Sequence, residues 1–484
     1  MKIIKKQQST VTNIVTPKQR SYSDIIKFLD HSWSINTQDT ELTVIKRLDA
    51  ALGKPSQSVP TVLITGTNGK STTIHFTSKL LKTEGLKVGA FYAPHLLNYN
   101  ERIAINEDLI PNKLFTEIAN EVLDVAEHLS IQANSYELLT TIAFIYFKKQ
   151  NVDVALMEIG NSAPYKAPSI SSPRIIAVTR ITNDDDNIAS EGIQKLILET
   201  LSIVQKGTHV ISADQSKMNL QTMHSIVKDK EGIWEMPIRK VVALSYPLEQ
   251  LYGRCAALAE RLSFIFVNTF LINNETIVKD TLLTKREGKR GRPTIAAKKE
   301  HELNPQKTLA QFWKETSNTL PARFHLLDKE KPSILLDTAQ NLDALDNIFL
   351  GVRLIHYHRK FQGIALVLGF NNPEIDQDKL FKSLRYFCKK TLSITSTAKT
   401  SIFLCPVKDS TLRINTPSWD VNKITTEIKN FMRNLKIKIH GCSSLQEGLT
   451  EAQKVVDDRD GLVMVVGSPE IVSEFWQLKG IKKI

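Results

Sequence analysis

The stretch Thr61-Val-Leu-Ile-Thr-Gly-Thr-Asn-Gly-Lys-Ser-Thr-Thr73 decides the fold of this 484-residue chain. An apolar run of strand type ends in Gly66-Thr67-Asn68-Gly69-Lys70-Ser71-Thr72, and a helix-like stretch follows. A strand, a glycine turn, a lysine with hydroxyls and then a helix build a phosphate cradle. The glycines let backbone N–H groups turn toward phosphate oxygens. The helix N-terminus adds partial positive charge, Lys70 adds a full one, and a following hydroxyl can ligate Mg²⁺. The expectation is an ATP-binding loop at Gly66–Thr72, with Lys70 on the β- and γ-phosphates and Ser71 or Thr72 on the metal. The pattern G-x-x-x-x-G-K-[ST] would place glycine at position 64, where Ile64 stands. A plain glycine turn opening an α/β crossover is the competing reading.

Outward from this loop the pattern alternates in the α/β manner. Strands are expected at 62–65, 87–92, 152–158, 175–178 and 209–212, and helices at 71–84, 112–128, 136–149 and 192–204. That alternation implies a mostly parallel sheet with ligands at the carboxyl ends of its strands, where the loop and Glu158 both fall. A second α/β unit begins after residue 320, with strands at 334–337, 363–369, 402–407 and 462–466. Residues 273–308 break the pattern. They carry the basic run Lys285-Arg-Glu-Gly-Lys-Arg-Gly-Arg-Pro-Thr-Ile-Ala-Ala-Lys-Lys-Glu300, expected to be a solvated insertion. Its Lys289-Arg-Gly-Arg-Pro293 core resembles a minor-groove AT-hook. The division is then 1–55, a helical lead-in; 56–272, the ATP-binding domain; 273–319, a basic insertion and linker; and 320–484, a smaller C-terminal domain.

Composition sets bounds. The hydrophobic fraction of 42% is that of a globular protein, and 484 residues argue for two or three domains. The formal charge of +12 suits acidic ligands and would suit nucleic acid, although a general lysine-rich surface explains it as well. Four scattered cysteines without a C-x-x-C pair suggest neither a zinc site nor a disulfide frame, and point to a reducing cytoplasm. The polar N-terminus does not read as a signal peptide, and the best apolar run, Leu262 to Ile272, is too short to span a bilayer.

Gly-Thr-Asn-Gly-Lys resembles the loop shared by the Mur ligases and the folylpolyglutamate synthases, and the flanks favour the second group. Tyr92-Ala-Pro-His-Leu96 with Glu101-Arg102-Ile103 resembles that family's Ser-Pro-His-Leu…Glu-Arg-Ile segment. Ser135-Tyr136-Glu137, Ala155-Leu-Met-Glu-Ile-Gly160, Pro321-Ala-Arg-Phe324, Leu336-Asp-Thr-Ala-Gln-Asn341 and Val465-Val-Gly-Ser468 resemble further family segments, in family order. The chain is similar to a divergent folylpolyglutamate/dihydrofolate synthase. The resemblance implies a P-loop ATPase domain with a mostly parallel sheet, plus a smaller Rossmann-like C-terminal α/β domain, with ATP and substrate held between them. It implies ATP and Mg²⁺ as cofactors, and L-glutamate with a folate or dihydropteroate as substrates. It also implies a monomer; the cysteine pattern points to the cytoplasm, the short apolar run argues against a membrane partner, and one AT-hook-like pentapeptide in a lysine-rich chain is weak ground for a nucleic-acid partner. The implied activity is amide-bond formation through an acyl phosphate, with Lys70 and Glu158 as catalytic residues. Glu158 matches the magnesium-ligand glutamate, and Arg323 and Asp337 match ATP contacts of the C-terminal domain. A strand-end carboxylate can instead cap a helix or meet a lysine, Asn341 can simply cap the following helix, and His95 reads as a packed turn residue.

Several positions depart from the family. Its serine before Pro-His-Leu is Ala93. The segment whose histidine binds a second metal aligns with Thr182-Asn-Asp-Asp185, so Asp185 is the candidate replacement ligand, with Asp184 and Asp186 beside it. The family's carbamylated lysine aligns with Thr200, the stretch after the glutamate is Asn161-Ser-Ala-Pro-Tyr-Lys-Ala-Pro-Ser169, and a histidine is replaced by Gln340. The alternatives are a divergent active ligase, a ligase with a changed acceptor, or a nucleotide-binding protein that has lost ligation and touches nucleic acid through 285–299. A Mur-type ligase is a further reading, against which Ala-Pro-His-Leu and Pro-Ala-Arg-Phe argue.

Overall fold

A computed structural model describes residues 18–33, 35, 41–160, 163–182, 192–271, 282–283, 308–316, 320–371, 376–394, 400–408 and 418–483. Asp184, Asp185, Asp186 and the basic run 285–300 lie outside the described residues. The chain is mixed α/β and builds two mostly parallel sheets, of eight and six strands among the described residues.

The first sheet runs in the order β4-β3-β2-β5-β1-β6-β7-β8. Its strands are β1 Thr61–Thr65, β2 Val88–Phe91, β3 Ile103–Ile105, β4 Asp108–Leu109, β5 Val154–Glu158, β6 Pro173–Val178, β7 His209–Ser212 and β8 Ile233–Trp234. Every residue of β1 is buried, because β5 and β6 flank it in parallel and helices cover both faces. Side chains alternate between two cores. Val62 and Ile64 pack with the helices Lys70–Thr83 and Leu248–Ile265, while Leu63 faces the cluster that holds Asn112–His128 and Ser135–Lys149. The register pairs Ile64 with Glu158 and Thr65 with Val178, so the loop after β1, the end of β5 and the end of β6 share one edge. β2, β3 and β4 form an antiparallel border, closed by a two-residue turn with Asn106 at φ 50° and Glu107 at φ 78°.

The second sheet runs β13-β12-β11-β14-β10-β9. It comprises β9 His325–Leu327, β10 Ser333–Asp337, β11 Ile364–Gly369, β12 Thr400–Leu404, β13 Lys438–Gly441 and β14 Leu462–Gly467, with β9 antiparallel at its edge. At its carboxyl edge β11 and β14 approach so closely that a Cβ on Gly467 would stand 1.9 Å from the Gly369 carbonyl oxygen. One hydrophobic core joins the two sheets' layers: Ile74, Leu80 and Leu251 of the first share it with Phe324, Leu345 and Phe349 of the second. No helix among the described residues is long and apolar enough to cross a membrane.

Candidate active site

The loop after β1 is shaped by two glycines with positive φ, a backbone conformation that L side chains rarely adopt. Gly66 has φ +123° and Gly69 φ +87°, and Gly69 is the N-cap of the helix Lys70–Thr83. A Cβ on Gly66 would lie 2.2 Å from Thr179 Oγ1 and 2.9 Å from the Arg180 carbonyl oxygen; one on Gly69 would lie 2.8 Å from Cys255 Sγ. The loop is therefore pressed between the end of β6 and the helix Leu248–Ile265. The Thr67 N–H donates to the Arg180 carbonyl at 2.6 Å, and the Thr182 N–H donates to Thr67 Oγ1 at 3.1 Å. Lys70 Nζ donates back to the carbonyls of Gly66 (2.7 Å) and Thr67 (3.0 Å), so its charge sits over the loop. This is a concave, positively charged set of backbone donors at a helix N-terminus, the arrangement that holds phosphate.

Beside the loop, Ser71 Oγ donates to Glu158 Oε2 at 2.8 Å, and the Ala93 N–H reaches the same oxygen at 3.3 Å. Glu158 is buried, and its backbone carbonyl accepts the Tyr136 hydroxyl at 2.9 Å, which fixes the end of β5. Thr72 is buried alongside. Of the two candidate hydroxyls, Ser71 meets the carboxylate. A hydroxyl and a carboxylate oxygen fit Mg²⁺, a hard cation that takes one or two protein oxygens and completes its shell with water and substrate phosphate. Ala93 contributes a methyl group and an N–H. No cluster of three or more His, Cys, Asp or Glu occurs among the described residues.

The wall behind Ala93 is a buried aromatic box. His95 Nδ1 accepts from Arg102 Nε at 2.8 Å, and the guanidinium lies over Trp33 at 5.1 Å and Tyr136 at 6.0 Å. Burial, reinforced by Arg102, holds the His95 imidazole well below its ordinary pKa. His95 is a packed, neutral ring that supports the loop.

The second sheet closes the site. Asp337 ends β10 and accepts the Phe324 N–H at 2.6 Å. Burial pushes its carboxyl up to about 7, against the opposing pull of Arg323 and that N–H. Asn341 caps the helix Leu342–Arg359 by accepting the Ala344 N–H at 2.9 Å. It also forms a reciprocal amide pair with Asn68, whose Nδ2 donates to Asn341 Oδ1 at 3.1 Å while Asn341 Nδ2 donates to Asn68 Oδ1 at 3.0 Å. Asn68 Nδ2 reaches Asp343 Oδ2 at 2.9 Å as well, and Asp343 Oδ1 pairs with Arg180 at 2.5 Å. The phosphate-type loop is thus bonded directly to the second sheet's helix.

These groups surround a cavity of about 500 Å³. Thr67, Asn68, Gly69, Lys70, Ser71, Thr72, Glu158, Arg323 and Asp337 all line it, from segments up to 270 residues apart. Gln340 and Ala93 line it too, whereas His95 and Thr200 are buried and do not. Sequence reasoning missed Asp343 and Arg180. It also missed the wall from Val241 to Leu258, where Leu251, Tyr252 and Cys255 enter the cavity from the helix Leu248–Ile265. The apolar spacing of that helix (Leu251, Leu258, Leu262, Ile265) was the signal available for it.

No family model matches the chain. The dihydrofolate synthase/folylpolyglutamate synthase of Bacillus subtilis is 30% identical over 186 residues, which cover 37% of this chain and 43% of that protein. The folylpolyglutamate synthase of Lacticaseibacillus casei is 25% identical over 199 residues, 40% of this chain and 46% of that one. The chain thus spans about half the length of the curated relatives it matches. Among solved structures, the Mycobacterium tuberculosis folylpolyglutamate synthase complexed with ADP superposes with a TM-score of 0.70 at 17% identity. That match covers 95% of this chain and 98% of the other. At this identity the superposition establishes the two-domain fold.

Proposed function

We propose that this chain, a divergent relative of the folylpolyglutamate and dihydrofolate synthases, is an ATP-dependent ligase that joins L-glutamate to the carboxyl group of a folate or of dihydropteroate. One observation carries the reading: the loop Gly66–Thr72, the Ser71–Glu158 pair, and Arg323 with Asp337 of the other sheet all line one cavity. The first half-reaction moves the γ-phosphoryl group of ATP to the acceptor carboxylate, releasing ADP and leaving an acyl phosphate. In the second, the amine nitrogen of glutamate attacks the acyl carbon. The C–O bond to phosphate breaks, inorganic phosphate leaves, and the nitrogen loses a proton as the amide forms.

The protein's part in such chemistry is to neutralise and align charge. Gly66–Thr72 offers backbone N–H groups to the phosphates, and Lys70 stands on the same loop to meet the β- and γ-oxygens. Ser71 and Glu158 would hold Mg²⁺, which when bound offsets charge on the transferring phosphoryl oxygens. Arg323 would meet phosphate and Asp337 the nucleotide, closing the cavity from the second sheet. Residues 56–272 then serve as the ATP-binding domain and 320–484 as the closing domain, in a cytoplasmic monomer working on small molecules.

The test is phosphate release by purified protein with ATP, Mg²⁺ and L-glutamate, comparing dihydropteroate, tetrahydrofolate and no acceptor, with Lys70→Ala as control. Release that needs both acceptor and glutamate and vanishes in the control is expected. ATP binding without acceptor-dependent release would instead support a nucleotide-binding protein that has lost ligation, a reading favoured by the methyl group of Ala93 beside Glu158.

A further inference from the structure

All four cysteines stand as thiols, and the fold brings two of them together. Cys405 follows β12 and Cys442 follows β13, 37 positions apart in the chain. The two strands are parallel neighbours with Leu404 in register with Gly441, so the cysteines are the next pair along, and the Cys442 N–H donates to the Leu404 carbonyl at 2.8 Å. Neighbouring strands lie about 4.8 Å apart, inside the window of about 4.4–6.8 Å between Cα atoms that a disulfide spans. Both side chains enter one face of the sheet, in the cluster with Val367, Leu445 and Ala452, and their thiols hydrogen-bond to each other.

The helix Leu445–Val455 crosses the pair at Gly448, where a Cβ would stand 2.4 Å from Cys405 Sγ and 3.7 Å from Cys442 Sγ. Glycine is a poor helix former, and here it leaves the sulfurs the room that any side chain would take. The two thiols are not equivalent. Cys405 has no exposed surface, whereas 6% of Cys442 is exposed at the end of the edge strand β13. The hydrogen bond from Cys405 draws the Cys442 thiol below its ordinary pKa, against burial and the carboxylates of Glu447 and Glu451. The same hydrogen bond, with burial, pushes the Cys405 thiol up. Glu447 is turned to other partners: its carboxylate accepts the Ser443 N–H at 2.7 Å and the Ser443 hydroxyl at 2.6 Å. Neither cysteine lines the cavity of about 500 Å³, so the pair stands outside the proposed ligase chemistry.

We infer that Cys405 and Cys442 are a site of reversible oxidation, closing to a disulfide that staples the edge strand β13 to β12. With hydrogen peroxide as oxidant, the Cys442 sulfur attacks one peroxide oxygen. The O–O bond breaks, the departing hydroxide takes the proton the thiol gave up, and water leaves behind a sulfenic acid. The Cys405 sulfur then attacks the Cys442 sulfur. The S–S bond forms, the S–O bond breaks, and the hydroxyl leaves with the Cys405 proton as a second water. Two thiols lose two electrons and two protons, and one peroxide becomes two waters. A small dithiol reverses the step by exchange. The other two cysteines are poorer targets, because burial raises the Cys255 thiol to about 11 and the Cys388 thiol to about 12.

The experiment exposes the folded full chain to hydrogen peroxide, blocks the remaining thiols with N-ethylmaleimide and reads the peptides by mass spectrometry. The expected product is a peptide pair cross-linked through Cys405 and Cys442, with Cys255 and Cys388 still alkylated and all four thiols recovered after dithiothreitol. The melting temperature of oxidised wild type should rise by about 5 °C or more over the reduced form, and Cys442→Ala should show no rise. Four alkylated thiols after peroxide treatment would overturn the inference. So would sulfinic acid at Cys442 without a cross-link, or a cross-link that forms only in urea. Neither nucleotide nor acceptor enters these measurements, so the ligase reading stands or falls separately.

Discussion

Gly66→Ala is the perturbation whose size is best worked from the geometry. Gly66 sits at φ +123°, where a side chain is strained whatever the space around it. Space is also lacking: the new Cβ would stand 2.2 Å from Thr179 Oγ1, 2.9 Å from the Arg180 oxygen and 3.0 Å from the Arg180 nitrogen. Thr179 cannot simply rotate away without loss, because its hydroxyl donates to the Thr65 carbonyl at 3.1 Å. The Arg180 atoms are backbone, held by the Thr67 N–H at 2.6 Å. Gly85 supplies the control: it has φ +86° and nothing within 4 Å of its would-be Cβ. Gly85→Ala should cost only the backbone term, about 1–2 kcal/mol. Gly66→Ala adds overpacking to the strain and should cost about 3–5 kcal/mol. Because Gly66 opens the loop, relieving these clashes shifts the loop backbone that follows it, and ATP affinity should fall at least tenfold in any variant protein that folds. Urea denaturation gives the first number and calorimetric titration with an ATP analogue gives the second. If Gly66→Ala costs no more than Gly85→Ala and binds the nucleotide as tightly as wild type, the loop is not wedged against β6 and the argument fails.

Three further outcomes follow from the same geometry. Lys70→Met should leave the melting temperature within a few degrees, since Nζ bonds only to loop carbonyls, while phosphate release falls at least about a hundredfold; retention of a tenth of the activity would exclude Lys70 from the chemistry. Asp337 has its folded pKa raised to about 7 from 3.8, so between those values the folded state keeps a proton that the unfolded chain has released, and stability falls as pH rises through this window. Asp337→Asn should therefore be more stable than wild type at pH 8 and no more stable at pH 3.5, and equal unfolding curves at pH 8 would contradict the burial argument. Asn68→Ala and Asn341→Ala each remove the amide pair, so their effects on ATP affinity should be non-additive by about 1 kcal/mol or more in a double-mutant cycle; strict additivity would mean the pair carries no coupling.

Much of this molecule could be read locally. The strand Thr61–Thr65, the glycine loop and the helices Lys70–Thr83 and Asn112–His128 follow from short-range rules: an apolar run, glycines where φ turns positive, and the 3.6-residue period. Glu158 was legible for the same reason, since it ends a buried strand in register with Ile64 of β1. The β3–β4 turn was not, because Asn106 and Glu107 carry left-handed backbone without a glycine to announce it. Nor was the cavity wall from Leu248–Ile265, whose apolar spacing identifies a helix but not what it faces.

The sequence by itself determined the local elements, the cradle loop and the order of its candidate ligands along the chain. Each of these depends on residues within a turn or two of one another, where backbone sterics and side-chain period suffice. Only the tertiary structure decided that Ser71 rather than Thr72 meets Glu158, that Asn68 locks onto Asn341 from 273 positions away, and that Arg180 pairs with Asp343. Those contacts depend on how two sheets are docked through a shared core. Docking is a sum over many weak, non-directional contacts spread along the whole chain, and no short stretch of residues encodes it.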